Sequence, residues 1–229
     1  MFKKESGISI VPSRDDSIRN LKVDKPYLQG SFCLALVGPP GSGKSTLIES
    51  LITNEALYFR KFNKILFISP SKPTFLEVSE ENWWPTLKVS WLEQIFQDQE
   101  KIGSEGDEVR QILLVLDDVV SSIKANQGSD DLVSLFYNRR HHKPHIHIHF
   151  LITTQKWNML PAKFRAILTG FFLFPITQLE WKYIKHEIPF DNTKTLEKSF
   201  GLTLAKPNDF LFFNFNNKKV FSGFDELLI

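Results

Sequence analysis

A glycine-rich stretch between an apolar run and a segment of helical spacing carries the strongest chemical signal in the sequence. It reads GPPGSGKST over residues 38–46 and matches G-x-x-x-x-G-K-[ST] at every fixed position. Glycines at these positions let consecutive backbone N–H groups turn toward a phosphate, and the positive end of the following helix favours the same anion. The pattern predicts a nucleotide phosphate loop, made of Gly38, Pro39, Pro40, Gly41, Ser42, Gly43, Lys44, Ser45 and Thr46.

Three side chains of this loop have separate expected roles. We expect Lys44 to neutralise the β- and γ-phosphate oxygens, and Ser45 to ligate Mg²⁺ through its hydroxyl group. Thr46 is expected near the α-phosphate. ATP and Mg²⁺ are therefore the predicted ligands.

Two acids follow a second apolar run, which reads QILLVLDDV over residues 111–119. We expect Asp117 to contribute to the coordination of Mg²⁺, and Asp118 to act as a general base or to orient the attacking water. Two carboxylates at the end of a buried strand repel each other unless a cation lies nearby. The alternative is that the pair caps a helix.

Gln155 lies just after a third apolar run, HIHFLITT, at residues 147–154. An uncharged donor and acceptor at the edge that carries the phosphates can contact the γ-phosphate and hold the lytic water without competing for Mg²⁺. We interpret Gln155 as such a sensor. The alternative is a loop amide that faces solvent.

Arg139 and Arg140, in the stretch NRRHH, come at the far end of a predicted helix that runs back from the catalytic edge. They cannot serve the nucleotide of their own chain from there, but they can reach that of a neighbouring subunit as an arginine finger. A solvated basic patch at a helix end is the alternative. Arg165, in KFRAI, is the competing finger.

The order of apolar runs predicts an α/β fold with a parallel central sheet covered by helices on both faces. The predicted strands cover residues 31–37, 64–69, 111–119, 147–153 and 168–174, and the predicted helices cover residues 45–52, 92–101, 130–139 and 160–167. A helix or two around residues 181–200 and a small C-terminal β hairpin, formed as an appendix by residues 209–217 and 219–224, should follow. Residues 70–108 are expected to be the least regular part, a mobile or partner-facing excursion.

The bulk properties are those of an ordinary globular protein, with 229 residues, 42% hydrophobic and 24% charged. We expect one P-loop domain over residues 31–229, preceded by an N-terminal extension over residues 1–30. The formal net charge of +2 is too small to indicate nucleic-acid binding by itself. The single cysteine, Cys33, and the absence of a long apolar stretch predict a soluble intracellular protein without a membrane partner.

Other conspicuous residues are expected to be structural. His145, His147 and His149 alternate on one strand but lack a complementary ligand set for zinc. Cys33 lies inside the first strand and is expected to be inert. The five tryptophans are expected to pack in the core or at an interface, and base stacking is the less favoured alternative. They are Trp83, Trp84, Trp91, Trp157 and Trp181.

The combination of these motifs resembles the poxvirus-type genome-packaging ATPases of the FtsK/HerA superfamily, which are P-loop NTPases of the RecA-like (ASCE) type with an extra catalytic strand. The matching stretches are GPPGSGKST, LLVLDD, NRRHH, ITTQ and KFRAI followed by FF, within residues 36–172. The sequence departs from this pattern at Asp118, where cellular relatives generally carry Glu.

This resemblance implies a homo-oligomeric ring, a pentamer or hexamer, that hydrolyses ATP to drive double-stranded DNA into a preformed viral capsid. Double-stranded DNA and capsid proteins would be its partners, in the host cytoplasm, a viral factory or the virion. Two other functions remain open at this stage, a P-loop small-molecule kinase and a nucleotide-gated assembly protein without translocation. The guanine-reading N-K-x-D motif of GTPases and the LSGGQ-like signature of ABC ATPases are absent from the sequence.

Overall fold

A computed structural model describes residues 28, 30–74, 76–125, 130–139, 143–190, 206 and 208–227. Its strands are β1 (Cys33–Val37), β2 (Lys64–Ile68), β3 (Trp83–Trp84), β4 (Arg110–Leu116), β5 (Ile146–Thr154), β6 (Gly170–Leu173), β7 (Leu211–Asn214), β8 (Lys219–Ser222) and β9 (Asp225–Leu227). Its helices are α1 (Lys44–Thr53), α2 (Val89–Gly106), α3 (Val120–Ala125), α4 (Asp130–Tyr137), α5 (Ala162–Arg165) and α6 (Gln178–Glu187). Short 3₁₀ turns cover Glu80–Asn82 and Trp157–Met159.

The strands form one sheet in the order β3-β2-β4-β5-β1-β6-β7-β8-β9. The six strands from β3 to β6 are parallel. Every residue of β1, β5 and β6 is buried, as is typical of parallel strands covered on both faces. The predicted α/β class and its parallel sheet are confirmed.

Alternate residues of β1, β4 and β5 point into two separate cores. In β1, for example, Cys33, Ala35 and Val37 pack against the side of the sheet that carries α2 to α6. Leu34 and Leu36 pack against the opposite side, where the apolar residues of α1 lie. Burial of the two faces fixes the register of the strands, and so fixes which residues emerge at the carboxyl edge.

The predicted C-terminal hairpin is present, but it is not a separate appendix. β7 pairs antiparallel with β6, from Leu173 opposite Leu211 to Gly170 opposite Asn214, and β8 and β9 extend the same sheet. A Cβ atom on Gly170 would lie 2.4 Å from the carbonyl oxygen of Phe213, so only glycine permits this close pairing. The hairpin therefore continues the sheet that carries the phosphate loop.

Stacked phenylalanine rings hold this junction together. Phe171 and Phe213 lie 4.4 Å apart at 5° on one face, and Phe172 and Phe212 lie 4.5 Å apart at 19° on the other. Directly opposed aromatic pairs stabilise antiparallel strands by burial and by ring contact. This cross-strand stacking accounts for part of the high phenylalanine content.

Three predictions about individual elements need correction. Residues 70–108, expected to be the least regular part, contain β3, and the helix predicted there over residues 92–101 is present as the longer, 18-residue α2, with Leu92 and Phe96 on its buried face. The helix predicted over residues 160–167 is limited to Ala162–Arg165. The helix predicted around residues 181–200 ends at Glu187, and residues 191–205 lie outside the described part of the chain.

One residue on the N-terminal side of the predicted domain boundary, Leu28, lies among the described residues. Leu28 is 4% exposed, and its N–H donates to the hydroxyl oxygen of Tyr58 at 3.0 Å. At least this residue of the proposed N-terminal extension therefore packs with the domain. No helix among the described residues is long and apolar enough to cross a membrane.

Candidate nucleotide site

The order of the strands brings the three predicted groups to one edge of the sheet. β5 lies between β1, which leads into the phosphate loop, and β4, which leads into the two acids. The N–H of Gly38 donates to the carbonyl oxygen of Thr154 at 3.1 Å, so the loop starts beside the residue that precedes Gln155. Since neighbouring strands are about 4.8 Å apart, the loop, Gln155 and the acids follow one another along this edge.

The phosphate loop has the backbone that its sequence predicts. Gly41 and Gly43 have φ values of 74° and 95°, in the left-handed region that favours glycine, and α1 starts directly after them at Lys44. Gly38 is buried, and a Cβ atom there would lie 2.6 Å from Cβ of Phe174. The loop is thus closely packed where it leaves β1, while Pro39, Pro40 and Gly41 are exposed.

Lys44 lies between the loop and the acids. Its Nζ donates to the carbonyl oxygens of Gly38 at 2.7 Å and Pro39 at 2.8 Å. Burial lowers the pKa of Lys44, while the negative charges of Asp117 and Asp118 act in the opposite direction. These charge effects mean that the lysine and both acids occupy one electrostatic environment.

The hydroxyl groups of the loop differ in their surroundings. Ser42 is 4% exposed, and its Oγ has no hydrogen-bond partner among the described residues. A buried hydroxyl without a partner is costly, and a phosphate oxygen held in the loop would supply one. Ser45 is half-buried and Thr46 is exposed in the first turn of α1.

The two acids are held by a residue that the sequence analysis did not identify, Thr153 on β5. Its Oγ1 donates to Asp117 Oδ1 at 2.7 Å and accepts from the backbone N–H of Asp118 at 2.9 Å. Asp117 is half-buried and Asp118 is exposed, with a left-handed backbone at φ 54°. The sequence does contain a signal for such contacts, because β5 ends in two threonines, Thr153 and Thr154. Polar side chains that are buried at the end of an apolar strand need hydrogen-bond partners.

Gln155 is exposed and borders a cavity of about 340 Å³ beside the phosphate loop. The cavity is also lined by Pro39, Pro40, Lys156, Pro175, Ile176, Thr177 and Glu180. On its far side, α6 is fixed to the chain after Gln155, because Glu180 Oε1 accepts from the N–H of Trp157 at 3.0 Å. The glutamine is therefore next to the loop and open to a ligand or a second subunit.

The residues at this edge suit Mg²⁺ chemically. Ser45 offers a hydroxyl oxygen and Asp117 a carboxylate, both of the hard oxygen type that Mg²⁺ prefers. The hydrogen bond from Thr153 fixes one carboxylate oxygen of Asp117, which sets the orientation of the other. The donor set therefore fits the predicted metal role of Ser45 and Asp117.

Arg139 does not have the exposed position expected of a finger. It is 9% exposed, and its Nη1 donates to the carbonyl oxygen of Phe136 in its own helix at 3.1 Å. Its own carbonyl oxygen accepts from the N–H of Ile148 near the start of β5, so it lies at the edge opposite the phosphate loop, as predicted. The burial argues against a role in trans for Arg139, and Arg140 lies outside the described residues.

Arg165 is bound within its own chain. Its Nε and Nη2 donate to the two carboxylate oxygens of Glu187 at 2.6 and 2.9 Å, and Nη1 donates to the carbonyl oxygen of Leu160. Trp157 Nε1 also donates to Glu187, at 2.8 Å. Partial burial works against ionisation of this carboxyl, but the hydrogen bonds from Arg165 and Trp157 outweigh it and lower the pKa of Glu187.

The residues expected to be structural have ordinary packed environments. His149 is fully buried, with Nε2 2.8 Å from Gln111 Oε1 and with Nδ1 accepting from the N–H of Phe32. Burial raises the pKa of the Cys33 thiol to about 12, which keeps it protonated and unreactive. Trp157 and Trp181 are buried, whereas Trp91 is 43% exposed.

Comparison with known families identifies the domain. The sequence profile of the family described as "ATPase family associated with various cellular activities (AAA)" matches residues 34–175, which include the phosphate loop, the acids and Gln155. This chain is a member of the AAA family. It is therefore an ATPase of the P-loop type. A comparison with curated proteins found no match to this sequence.

Solved structures share the fold of this AAA chain at low sequence identity. The genome packaging NTPase B204 from Sulfolobus turreted icosahedral virus 2 matches in complex with sulfate, at 15% identity and a TM-score of 0.59, over 84% of this chain and 96% of that one. The same NTPase in complex with ATP-gammaS matches at 17% identity and a TM-score of 0.54, over 86% of this chain and 98% of that one. EssC (ATPases 2 and 3) from Geobacillus thermodenitrificans matches at 12% identity and a TM-score of 0.52, over 87% of this chain and 40% of that one.

These neighbours confirm the predicted resemblance to viral genome-packaging ATPases at the level of the fold. They also confirm the P-loop NTPase class of the AAA chain. The more specific resemblance to the poxvirus type stays a prediction.

Proposed function

We propose that this AAA ATPase is a motor that translocates double-stranded DNA, and that it packages a viral genome into a preformed capsid. The observation that carries the proposal is the position of β5 between the strand of the phosphate loop and the strand of the acids. This order puts Gln155 between the loop and Asp118, as a motor needs if hydrolysis is to be coupled to movement of a sensor.

The proposed reaction is cleavage of the γ-phosphate of ATP by water. Lys44 compensates phosphate charge, and its contacts with the carbonyl oxygens of Gly38 and Pro39 would be exchanged for contacts with phosphate oxygens. Asp118 orients or deprotonates the attacking water, and Gln155 contacts the γ-phosphate. Ser45 and Asp117 hold Mg²⁺, which when bound neutralises charge on the β- and γ-phosphates.

The proposed assembly is a homo-oligomeric ring, a pentamer or hexamer, in which a neighbour supplies an arginine finger. Arg140 is the first candidate, because burial argues against Arg139. Arg165 is the second, and it would have to leave Glu187 to reach a neighbouring site.

The proposed partners are double-stranded DNA and viral capsid proteins, in a viral factory, the host cytoplasm or the virion. The fold shared with the genome packaging NTPase B204 supports this assignment. The residues that contact DNA and capsid are not assigned.

The test combines ATP turnover with a sizing measurement and an assay of movement along DNA. We expect double-stranded DNA to stimulate hydrolysis and the protein to displace a triplex-forming third strand from DNA in an ATP-dependent manner. Lys44→Ala is the matched control and should abolish both activities while the protein stays folded. A monomer whose turnover depends on a small acceptor would instead indicate a kinase, and ATP-dependent oligomers without strand displacement would indicate an assembly protein; either result would refute the motor.

A further inference from the structure

A second group of side chains lies at the same edge of the sheet, on the side of β1 away from the acids. Along this edge the acids follow β4 and the phosphate loop follows β1, and beyond it Phe174 follows β6. The chain before β7 and the turn after β8 also end at this edge, because both strands belong to the antiparallel part of the sheet. They carry Asn208, Phe210 and Phe224, which the proposed function does not use.

Asn208 lies directly against the phosphate loop. A Cβ atom on Gly43 would be 3.3 Å from Asn208 Oδ1. The turn that presents Asn208 is closed by two hydrogen bonds, from the N–H of Lys206 to Asp209 Oδ2 at 2.7 Å and from the N–H of Asp209 to the carbonyl oxygen of Lys206 at 3.1 Å. An exposed amide is thereby held next to the residue at which α1 starts.

Three phenylalanine rings continue outward from this amide as an aromatic ledge, which we define as Phe174, Phe210 and Phe224. The rings of Phe174 and Phe210 lie 5.8 Å apart, and those of Phe210 and Phe224 lie 5.3 Å apart at 72°. The N–H of Gly223 donates to the carbonyl oxygen of Phe210 at 2.8 Å and fixes the turn that carries the outermost ring. Phe174 is buried, whereas Phe224 is 38% exposed.

We propose that Asn208 and the aromatic ledge bind the adenine base of the nucleotide. This inference rests on the proposed function, in which the γ-phosphate points toward the acids and Gln155. The base must then extend in the opposite direction, past Gly43 and the first turn of α1. From β1 to β7 is two strand spacings, about 10 Å, and to β8, which precedes Phe224, it is three, about 14 Å, so the ledge extends outward over the span of a nucleotide whose phosphates occupy the loop.

The chemistry of these groups suits a purine. An exposed aromatic ring offers a stacking surface for a base. An asparagine amide pairs with adenine by accepting from N6 and donating to N7, and guanine has an acceptor in place of the N6 donor. Phe174 and Phe210 belong to the face of the sheet that packs against α1, the helix that starts from the phosphate loop. Adenine bound here would therefore lie on the same face of the sheet as that helix.

The experiment measures dissociation constants of the full chain by calorimetry for three probes with Mg²⁺, the β,γ-methylene analogues of ATP and GTP and inorganic tripolyphosphate. Phe224→Ala should weaken the ATP analogue about tenfold, which is typical of loss of one base–aromatic stack, and leave tripolyphosphate within about twofold. Asn208→Ala should lower the preference for the ATP analogue over the GTP analogue about fivefold or more. Trp91→Ala, which removes an exposed ring at the start of α2, beside β3 at the other end of the strand order, should change none of the three.

Lys44→Ala separates this inference from the proposed function. If Lys44→Ala loses both nucleotide and tripolyphosphate binding while Phe224→Ala and Asn208→Ala bind the ATP analogue like the parent, the base lies elsewhere and the inference fails alone. Equal weakening of tripolyphosphate and nucleotide by Phe224→Ala would also overturn it, because the effect would not depend on the base. If Lys44→Ala binds all three probes like the parent, the phosphate site itself is wrong and both proposals fail.

Discussion

The hydroxyl group of Thr153 on β5 donates a hydrogen bond of 2.7 Å to the carboxylate of Asp117 at the end of β4. The same hydroxyl oxygen accepts from the backbone N–H of Asp118. One side chain therefore sets the position of the proposed metal ligand and of the proposed catalytic acid. Because Thr153 comes two residues before Gln155, it also joins the acids to the sensor strand.

Thr153→Val keeps the shape of the side chain and removes the hydroxyl group. We expect kcat to fall about tenfold, as for other residues that orient metal ligands, with a smaller change in KM for ATP. The loss of the buried hydrogen bonds should lower the free energy of unfolding by about 1 kcal/mol. Thr153→Ser is the matched control and should retain most of the activity; equal turnover by the Val variant would show that the hydrogen bonds do not matter for catalysis.

Asp118→Asn tests the proposed base without disturbing the backbone. Asparagine tolerates the left-handed conformation at φ 54° as well as aspartate does, so the variant should fold normally. We expect ATP to bind and kcat to fall by about 100-fold or more, because the amide cannot accept the proton. Single-turnover hydrolysis beside equilibrium binding checks this, and fast cleavage by the Asn variant would remove Asp118 from its role.

Mixed rings test the finger in trans. Arg140→Ala and Lys44→Ala should each be inactive alone, and mixing them should restore part of the activity if Arg140 completes a neighbour's site. Arg165→Ala mixed with Lys44→Ala examines the second candidate in the same way. Rings that form at every ratio yet never recover turnover would indicate that the arginine acts within its own subunit.

Glu187→Gln tests the hydrogen bonds by which Glu187, at the end of α6, holds Trp157 and Arg165. The hydrogen bonds from Arg165 and Trp157 lower the pKa of Glu187 below its ordinary 4.5, so the ionised form is favoured by folding. Its stabilising effect should be fully present above pH 4.5 and lost as the pH falls through the lower pKa of the folded state.

At neutral pH we expect Glu187→Gln to lose about 0.5–1 kcal/mol, a modest figure because Glu187 is 40% exposed. Thermal unfolding of parent and variant between pH 3 and 7 provides the measurement. A difference between the two that does not shrink toward pH 3 would contradict the assignment of this effect to ionisation.

The sequence allowed the parallel sheet and the phosphate loop to be predicted because both depend on local pattern. Continuous apolar runs define β1, β4 and β5, and the glycines of the loop have no other common use at that spacing. The motifs also predict that Gln155 shares one edge of the sheet with the loop and the acids, but they do not predict the order of the strands. These features need no knowledge of side-chain packing.

The features that were missed depend on side-chain direction or on distant pairing. The paired threonines at the end of β5 indicate that their hydroxyl groups need partners, but no spacing shows that the partners of Thr153 are Asp117 and Asp118. The burial of Arg139 depends on how the end of α4 packs beside the start of β5. Pairing of β7 with β6 joins residues about 40 positions apart, which a local pattern does not show.

The left-handed backbone at Asp118 limits which acidic residue can occupy this position. Asp118 has a positive φ of 54°, in the left-handed region. Aspartate and asparagine tolerate this backbone conformation better than residues with longer side chains such as glutamate. As the proposed base, Asp118 presents a shorter side chain than glutamate would, so the attacking water would have to approach the main chain more closely.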